Sequence, residues 1–318
     1  HIYQANLSQR FETDFEGDAH ALFAELFENA PASFYAYVNA GCHAIVSTSP
    51  ERFLMQRGRF VETRPIKGTR PRGETPEKDI LMAKELKASP KDDAELSMIV
   101  DLMRNDLGRV CDGGSVIVSE HKRLEAYQNV FHLVSVVRGR LKQGKDAVDL
   151  IRAAFPGGSI TGCPRIRAME IIDELEPCRR HIYTGSIGYI GFHDTMDLSI
   201  AIRTATIFRG RMYFSVGGGV VFDSDPADEY EETLHKGRSV MSQLTAKGAS
   251  SLAGPVIWMN GTLIPAKEAR LPAADLGVLY GFGFFETIRV EHGRPHLLQA
   301  HLARFSNAWR TFFNGPAP

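Results

Sequence analysis

No stretch of this chain approaches the roughly 20 consecutive apolar residues that a membrane-spanning helix needs. Nor is any run of lysine or arginine dense enough to hold an anionic membrane surface or nucleic acid. Charge of one sign is not in excess: 37 Lys and Arg face 38 Asp and Glu, for a formal net charge of −1. Nucleic acid and membrane are therefore not expected as partners. Cysteine is scarce. Cys42, Cys111, Cys163 and Cys178 show no CxxC spacing and no nearby pair of histidines. That argues against a zinc site or a disulfide framework and fits a reducing, cytoplasmic setting. No signal peptide opens the chain, which starts at His1, and it stops soon after a helical pattern. Both ends read as cuts through a longer protein. Internal repeats and low-complexity blocks are absent.

What remains is an ordinary globular composition, 43% hydrophobic and 24% charged over 318 residues. It suggests roughly two domains, or one large domain and a fragment. Residues 36–47, 52–61, 115–119 and 130–141 read as strands, and three more are expected near 185–192, 197–208 and 211–216. Thr75-Pro76 starts a helix, with Thr75 as N-cap, and Ser89-Pro90 kinks or divides it. Further helices are expected over 147–154, 164–175 and from Asp225 to about Leu244. Residues 247–255 read as a linker, and Asn260-Gly261 then marks a hairpin. The expected fold class is α+β. Mostly antiparallel sheets layered with helices fill residues 1–246, and a truncated second α+β domain fills 256–318.

Several residues invite a chemical reading beside a structural one. Lys67, framed by Pro65 and Gly68, is expected on a turn with little cover. It is either a solvated lysine or a nucleophile, since a lysine amine attacks once its site lowers its pKa. Asp92 and Glu95 are three apart, as are Glu229 and Glu232, and such pairs share a helix face. They are solvated surface, or four hard oxygen donors for Mg²⁺. Gly217-Gly218-Gly219 inside a strand pattern suggests close approach by a ligand or another backbone. Arg203, among buried-strand residues, is half of an ion pair or an anion clamp. Tyr183 offers a hydroxyl. His132, in the apolar run from Phe131 to Val134, is a core residue or lines a site.

These segments together resemble the chorismate-utilising enzymes, the family of anthranilate, isochorismate, salicylate and aminodeoxychorismate synthases. The resemblance runs from His1 to about Leu244. It rests on Ser49-Pro50-Glu51-Arg52, Pro65-Ile66-Lys67-Gly68-Thr69, Glu95 to Asp106, His132-Leu133-Val134-Ser135, Gly158-Ser159-Ile160-Thr161-Gly162, Ala201-Ile202-Arg203-Thr204, Gly217-Gly218-Gly219 and Glu229-Tyr230-Glu231-Glu232-Thr233. It implies that Glu95 and Glu232 bind Mg²⁺ with Asp92 and Glu229 beside them, the metal holding the ring carboxylate of chorismate. Tyr183, Arg203 and the backbone of Gly217, Gly218 and Gly219 would hold the enolpyruvyl carboxylate. Thr69 and Ser159 would also meet the substrate. Glu51 would be the general acid, and His132 would line the same site.

Members of the family divide at two positions. Isochorismate and salicylate synthases carry a lysine where this chain has Gln4, which argues against water as nucleophile. Anthranilate synthases carry alanine where this chain has Lys67, and aminodeoxychorismate synthases carry lysine there. The resemblance thus implies amination at C4 through a Lys67 adduct, giving 4-amino-4-deoxychorismate for p-aminobenzoate and folate. A partner glutamine amidotransferase would supply the ammonia. Anthranilate synthesis, or an inactive chorismate-binding subunit, is the alternative. Cys163 and Arg165 depart from the usual alanine and lysine. From Val256 the chain resembles the start of fold-type IV pyridoxal-phosphate (PLP) enzymes, aminodeoxychorismate lyase among them, through Asp275 to Arg289 and His301-Leu302. Leu276 and Phe282 replace that family's phosphate-binding arginine and its acid, and its cofactor lysine would lie beyond residue 318. PLP is therefore not expected here.

Overall fold

The structure, a computed structural model, describes residues 2–29, 32–127 and 130–245, with short segments beyond. The chain divides into two compact units, His1–Ala249 and Ser250–Pro318.

In the first unit β1 (Gln4–Asp14) is followed by α1 (Ala19–Asn29), β2 (Phe34–Asn39), β3 (His43–Ser49), β4 (Arg52–Arg57), β5 (Phe60–Arg64) and β6 (Ile66–Pro71). Two helices come next, α2 (Pro76–Ala88) and α3 (Pro90–Val110), then β7 (Ile117–Ala126) and β8 (Val130–Arg140). After α4 (Ala147–Ala154), a single 3-10 turn (Gly158–Ile160) leads into β9 (Gly162–Cys163) and α5 (Arg165–Leu175). The unit closes with β10 (Ser186–Gly191), β11 (Thr195–Ile200), β12 (Thr204–Phe208), β13 (Arg211–Val221) and α6 (Pro226–Thr245). One sheet has the order β2-β3-β12-β13-β1-β9. The other has the order β10-β11-β4-β5-β8-β6, with β7 also paired to β8. Every named strand pair is antiparallel. The α+β class expected from the sequence is the class observed.

Local chemistry explains the long helix pair. Thr75 accepts the Lys78 N–H and Pro76 takes the first helical position, where no N–H is needed. Ser89 ends α2 and begins α3: its N–H donates to the Leu86 carbonyl and its hydroxyl accepts the Asp92 N–H. The chain bends there because Pro90 cannot continue α2. Leu96, Ile99, Val100, Met103, Leu107 and Val110 then repeat at helical spacing and are all buried. They pack with Phe53, Leu54, Val61, Leu133 and Val137 of the second sheet, each such side chain contributing about 1.5–3 kcal/mol of burial. A smaller core joins Leu22 and Leu26 of α1 to Val46, Met212, Phe214 and Val216 of the first sheet. Phe11 stacks on Phe214 there with ring centroids 5.2 Å apart.

The structure differs from the sequence reading in four places. Residues 36–47 form not one strand but a hairpin, reversing at Gly41 with φ +79°. Residues 52–61 likewise turn at Gly58, φ +58°. Local turn residues mark both reversals, Asn39-Ala40-Gly41 in the first and the polar run Gln56-Arg57-Gly58-Arg59 in the second. Residues 197–208 are two strands in two different sheets, parted at Arg203, a non-glycine residue with φ +49°. Finally, the strand expected near 211–216 runs on to Val221: Gly217, Gly218 and Gly219 pair with Ser8, Leu7 and Asn6 and continue the ladder with β1 unbroken.

In the second unit Val256–Met259 pairs with Thr262–Pro265, and Val290–Glu291 pairs with Arg294–Pro295. The expected linker at 247–255, the hairpin residues Asn260 and Gly261, residues 275–289 and His301-Leu302 all lie outside the described residues.

Candidate active site

Lys67 lies in β6, paired to Leu133 of β8, and not on an exposed turn. Gly68, φ +80°, is the bulge that shifts the register between Lys67 and Thr69. The bulge needs glycine, because a methyl there would stand 2.8 Å from Leu86 Cδ1 and 3.0 Å from the Asp92 carboxylate. Lys67 Nζ faces Glu95 Oε2 at 3.5 Å, with only 14% of either side chain exposed.

Glu51 sits where β3 passes into β4, and 5% of it is exposed. Ser49 shapes this turn: its hydroxyl donates to the Ile200 carbonyl at 2.6 Å and accepts the Glu51 N–H at 3.3 Å. Burial raises the Glu51 carboxyl to about 7, against the opposing pull of the Ser159 hydroxyl and the Lys67 charge. Burial thus favours the protonated carboxyl near neutral pH, the state a general acid needs.

Next to Lys67, the Thr69 hydroxyl pairs with His132 Nδ1 at 2.8 Å. His132 is buried. Burial and the nearby Arg203 charge lower it to about 4, so it is neutral at pH 7. The Arg203 guanidinium finds no hydrogen-bond or carboxylate partner among the described residues, and burial lowers its pKa. A desolvated cation without a counter-ion is a site for an anion.

Tyr183 is buried, and desolvation raises its phenol. Its hydroxyl is 3.1 Å from where a Cβ on Gly217 would lie. A Cβ on Gly218 would be 3.3 Å from Glu229 Oε2. At Gly219 the Gln4 amide fills the space a side chain would take. Gln4 is 1% exposed, and neither of its amide atoms has a hydrogen-bond partner.

The four acids begin two helices, Asp92 and Glu95 near the start of α3, Glu229 and Glu232 near the start of α6. Each meets a cation. Arg70 reaches Asp92 at 3.3 Å, Lys67 reaches Glu95, Lys91 reaches Glu229 at 3.2 Å, and Lys236 reaches Glu232 at 2.6 Å. Burial of Glu232 is outweighed by Lys236, Lys91 and Lys67, which hold its carboxyl below the ordinary value. Lys91 feels Glu229, Glu232 and Glu95 together. Among the described residues no three His, Cys, Asp or Glu side chains are gathered at metal-holding distance. The donors are nevertheless the hard carboxylate oxygens that Mg²⁺ prefers, and Lys91, paired to Glu229, also feels the charges of Glu232 and Glu95.

The fold thus brings Glu51, Thr69, His132 and Arg203 into the neighbourhood of Lys67, and Tyr183 and Glu229 against the glycines of β13. A model of the chorismate binding enzymes matches residues 1–242. The chain belongs to that family. Aminodeoxychorismate synthase component 1 of Klebsiella aerogenes is 52% identical over 242 residues, 76% of this chain and 54% of that protein. An anthranilate synthase component 1 of Haloarcula marismortui is 48% identical over 76% of this chain and 49% of its own. Among solved structures, anthranilate synthase component I from Streptococcus pneumoniae superposes with a TM-score of 0.70 at 37% identity, covering 75% of this chain and 53% of that one. The chain spans about half the length of the curated relatives it matches.

Two polar residues escape the sequence reading. Ser49 enters there only as part of a motif, and its role as a turn clamp depends on Ile200, 151 positions away. Lys236, one helical turn after Glu232, donates to the Gly217 carbonyl at 3.2 Å and ties α6 to the glycine strand. Its i,i+4 spacing from Glu232 is the available signal.

Proposed function

We propose that this chain is the chorismate-converting part of an aminodeoxychorismate synthase component I. One observation carries the reading. A lysine is enclosed beside a buried carboxyl group that holds a proton at neutral pH, on a chain about half identical to relatives bearing that name. Lys67 Nζ, as the free amine, attacks ring C2 of chorismate. The ring double bonds shift and the C4 hydroxyl departs as water, taking its proton from Glu51. Ammonia then adds at C4 and expels Lys67, giving 4-amino-4-deoxychorismate. One hard displacement becomes two easier ones.

Arg203 and Tyr183, with the backbone of Gly217–Gly219, hold the enolpyruvyl carboxylate, and the unpartnered guanidinium supports this. Thr69 and Ser159 complete the substrate pocket, and neutral His132 offers a hydrogen bond without adding charge. Asp92, Glu95, Glu229 and Glu232 would hold Mg²⁺, which would neutralise and orient the ring carboxylate. Ammonia comes from a partner glutamine amidotransferase; the words "component 1" in the relatives' names speak for a second component. On sequence motifs alone, residues 256–318 are the beginning of a lyase-like fold-type IV domain joined through 247–255. The cytoplasm is the proposed site of action.

Incubation with chorismate, Mg²⁺ and ammonium should yield 4-amino-4-deoxychorismate by mass spectrometry. Fluorescent anthranilate as the product would instead establish the second reading, which the Haloarcula relative favours.

A further inference from the structure

Glu176 and Arg180 form an ion pair that the reaction scheme above does not use. It lies just after α5, with only 7% and 14% of the two side chains exposed. Arg180 uses its whole guanidinium. Nε donates to Glu176 Oε2 at 2.9 Å and Nη2 to Glu176 Oε1 at 2.6 Å. Nη1 donates to the Ile160 carbonyl at 2.8 Å, and Nη2 also to the Asn6 carbonyl at 2.5 Å. Glu176 Oε1 in turn accepts the Ser8 N–H and the Ser8 hydroxyl, both at 2.8 Å.

The pair therefore ties its own segment to two others, β1 and the turn at Ile160, and each adjoins a group of the substrate site. Ile160 follows Ser159, whose hydroxyl bonds Glu51. Asn6 and Ser8 lie on β1 opposite Gly219 and Gly217. Arg180 also builds the turn that carries Tyr183: its carbonyl accepts the Tyr183 N–H at 3.0 Å, and its guanidinium lies 5.9 Å from the centre of the Tyr183 ring. That turn is strained. His181 and Thr184, on either side of Ile182-Tyr183, have φ +53° and +62°. Such backbone persists only where its surroundings over-determine it: here the Thr184 N–H is tied to the Ala201 carbonyl at 2.8 Å, and Arg180, at the other end of the turn, is anchored through its guanidinium. A lysine would not serve, because one ammonium cannot span a carboxylate and two carbonyls in the fixed fork that Arg presents.

We propose that Arg180, locked to Glu176, is a positioning residue that sets Tyr183 and Ser159 in register with the glycine strand and so fixes the substrate against Glu51. This rests on the chorismate reading. The first test is free of it: amide hydrogen exchange on the full chain without substrate. In Arg180→Lys and Glu176→Gln, exchange should rise at residues 181–185 and 158–161 and stay unchanged in α3. Unchanged exchange at the turn overturns the proposal whatever the chain catalyses.

With chorismate, Arg180→Lys should lower kcat/KM about 100-fold, the cost of an ångström-scale misplacement. The alkaline limb of its pH profile should move upward as the Ser159 bond to Glu51 loosens, and Ser159→Ala should move it the same way. Kinetic constants and pH limb within twofold of wild type, with only the melting temperature lowered, would reduce the pair to a structural role and overturn the proposal. A wild-type chain that neither binds nor turns over chorismate fails the functional reading instead, and the exchange data still decide the clamp.

Discussion

Lys67 Nζ and Glu95 Oε2 stand 3.5 Å apart across β6 and α3, both largely enclosed. The proposed nucleophile is thus paired to a proposed metal ligand. Occupation of Glu95 by a divalent cation would take that counter-ion from Lys67. Lys67→Arg keeps the ion pair and removes the nucleophile. It should still bind chorismate in calorimetry, lose turnover, and form no adduct at residue 67 by mass spectrometry of trapped protein. A wild-type adduct mapping to any other lysine would sink the covalent step.

Glu51 gives a prediction about stability as well as rate. Its folded carboxyl titrates near 7 against 4.5 for the ordinary group. The stability it supports is full below 4.5 and is lost as pH rises through 7. That loss is about 3 kcal/mol at pH 8, since a tenfold difference in proton affinity between folded and unfolded chains is worth roughly 1.4 kcal/mol. Glu51→Gln cannot ionise and should melt above wild type at pH 8, the gap closing by pH 5, while turnover is abolished. Equal melting curves at pH 8 would contradict the protonated state assigned to Glu51.

Catalysis should fall as pH rises through about 7, because the general acid is then spent. His132 adds nothing to that limb, since it is already neutral above pH 4. Its ring protons in NMR should not shift between pH 5 and 8. His132→Asn should leave the pH profile in place and weaken binding, whereas a lost alkaline limb would make His132 the acid.

Gly68 is held by geometry and not by chemistry. Gly68→Ala places a methyl in the left-handed region at φ +80°, against Leu86 and Asp92. It should cost about 1–2 kcal/mol from the backbone alone and displace Lys67, lowering kcat more than the melting temperature would suggest. Denaturant melts and kinetics on the same preparation separate the two effects.

The acids of α3 and α6 belong to one site if divalent binding needs both helices. Manganese titration followed by electron paramagnetic resonance should show one bound ion in wild type. Glu95→Gln and Glu232→Gln should each weaken it by about tenfold or more, the order of effect expected on removing a group that holds or orients a metal. Independent effects, with full binding surviving both changes together, would disprove a shared ion.

How legible the sequence is depends on the range of the interaction. Thr75, Pro76 and Ser89-Pro90 announce α2 and α3 because caps and prolines act within four residues. Glu95 and Glu232 are visible because i,i+3 spacing marks a helix face. The reversals at Gly41 and Gly58 are passed over although Asn39-Ala40-Gly41 and the polar run Gln56 to Arg59 mark them. Helix α1 is passed over although its signal is local: Asp18, after Gly17, accepts the His20 N–H on its carboxylate and the Leu22 N–H on its carbonyl. Arg203 can be read as buried but not as a hinge between sheets, a fact of topology alone. Glu176 and Arg180 look like any i,i+4 surface pair. Only the folded chain brings Asn6, Ser8 and Ile160 to them.

Strand β13 runs without a break from Met212 and Phe214, which sit in the smaller core, through Gly217, Gly218 and Gly219 beside the proposed substrate. The wall that would receive the enolpyruvyl group is therefore not a loop, and it cannot act as a lid. A change that softens the small core far from the chemistry should be felt along the strand as a loss of fit at the glycines.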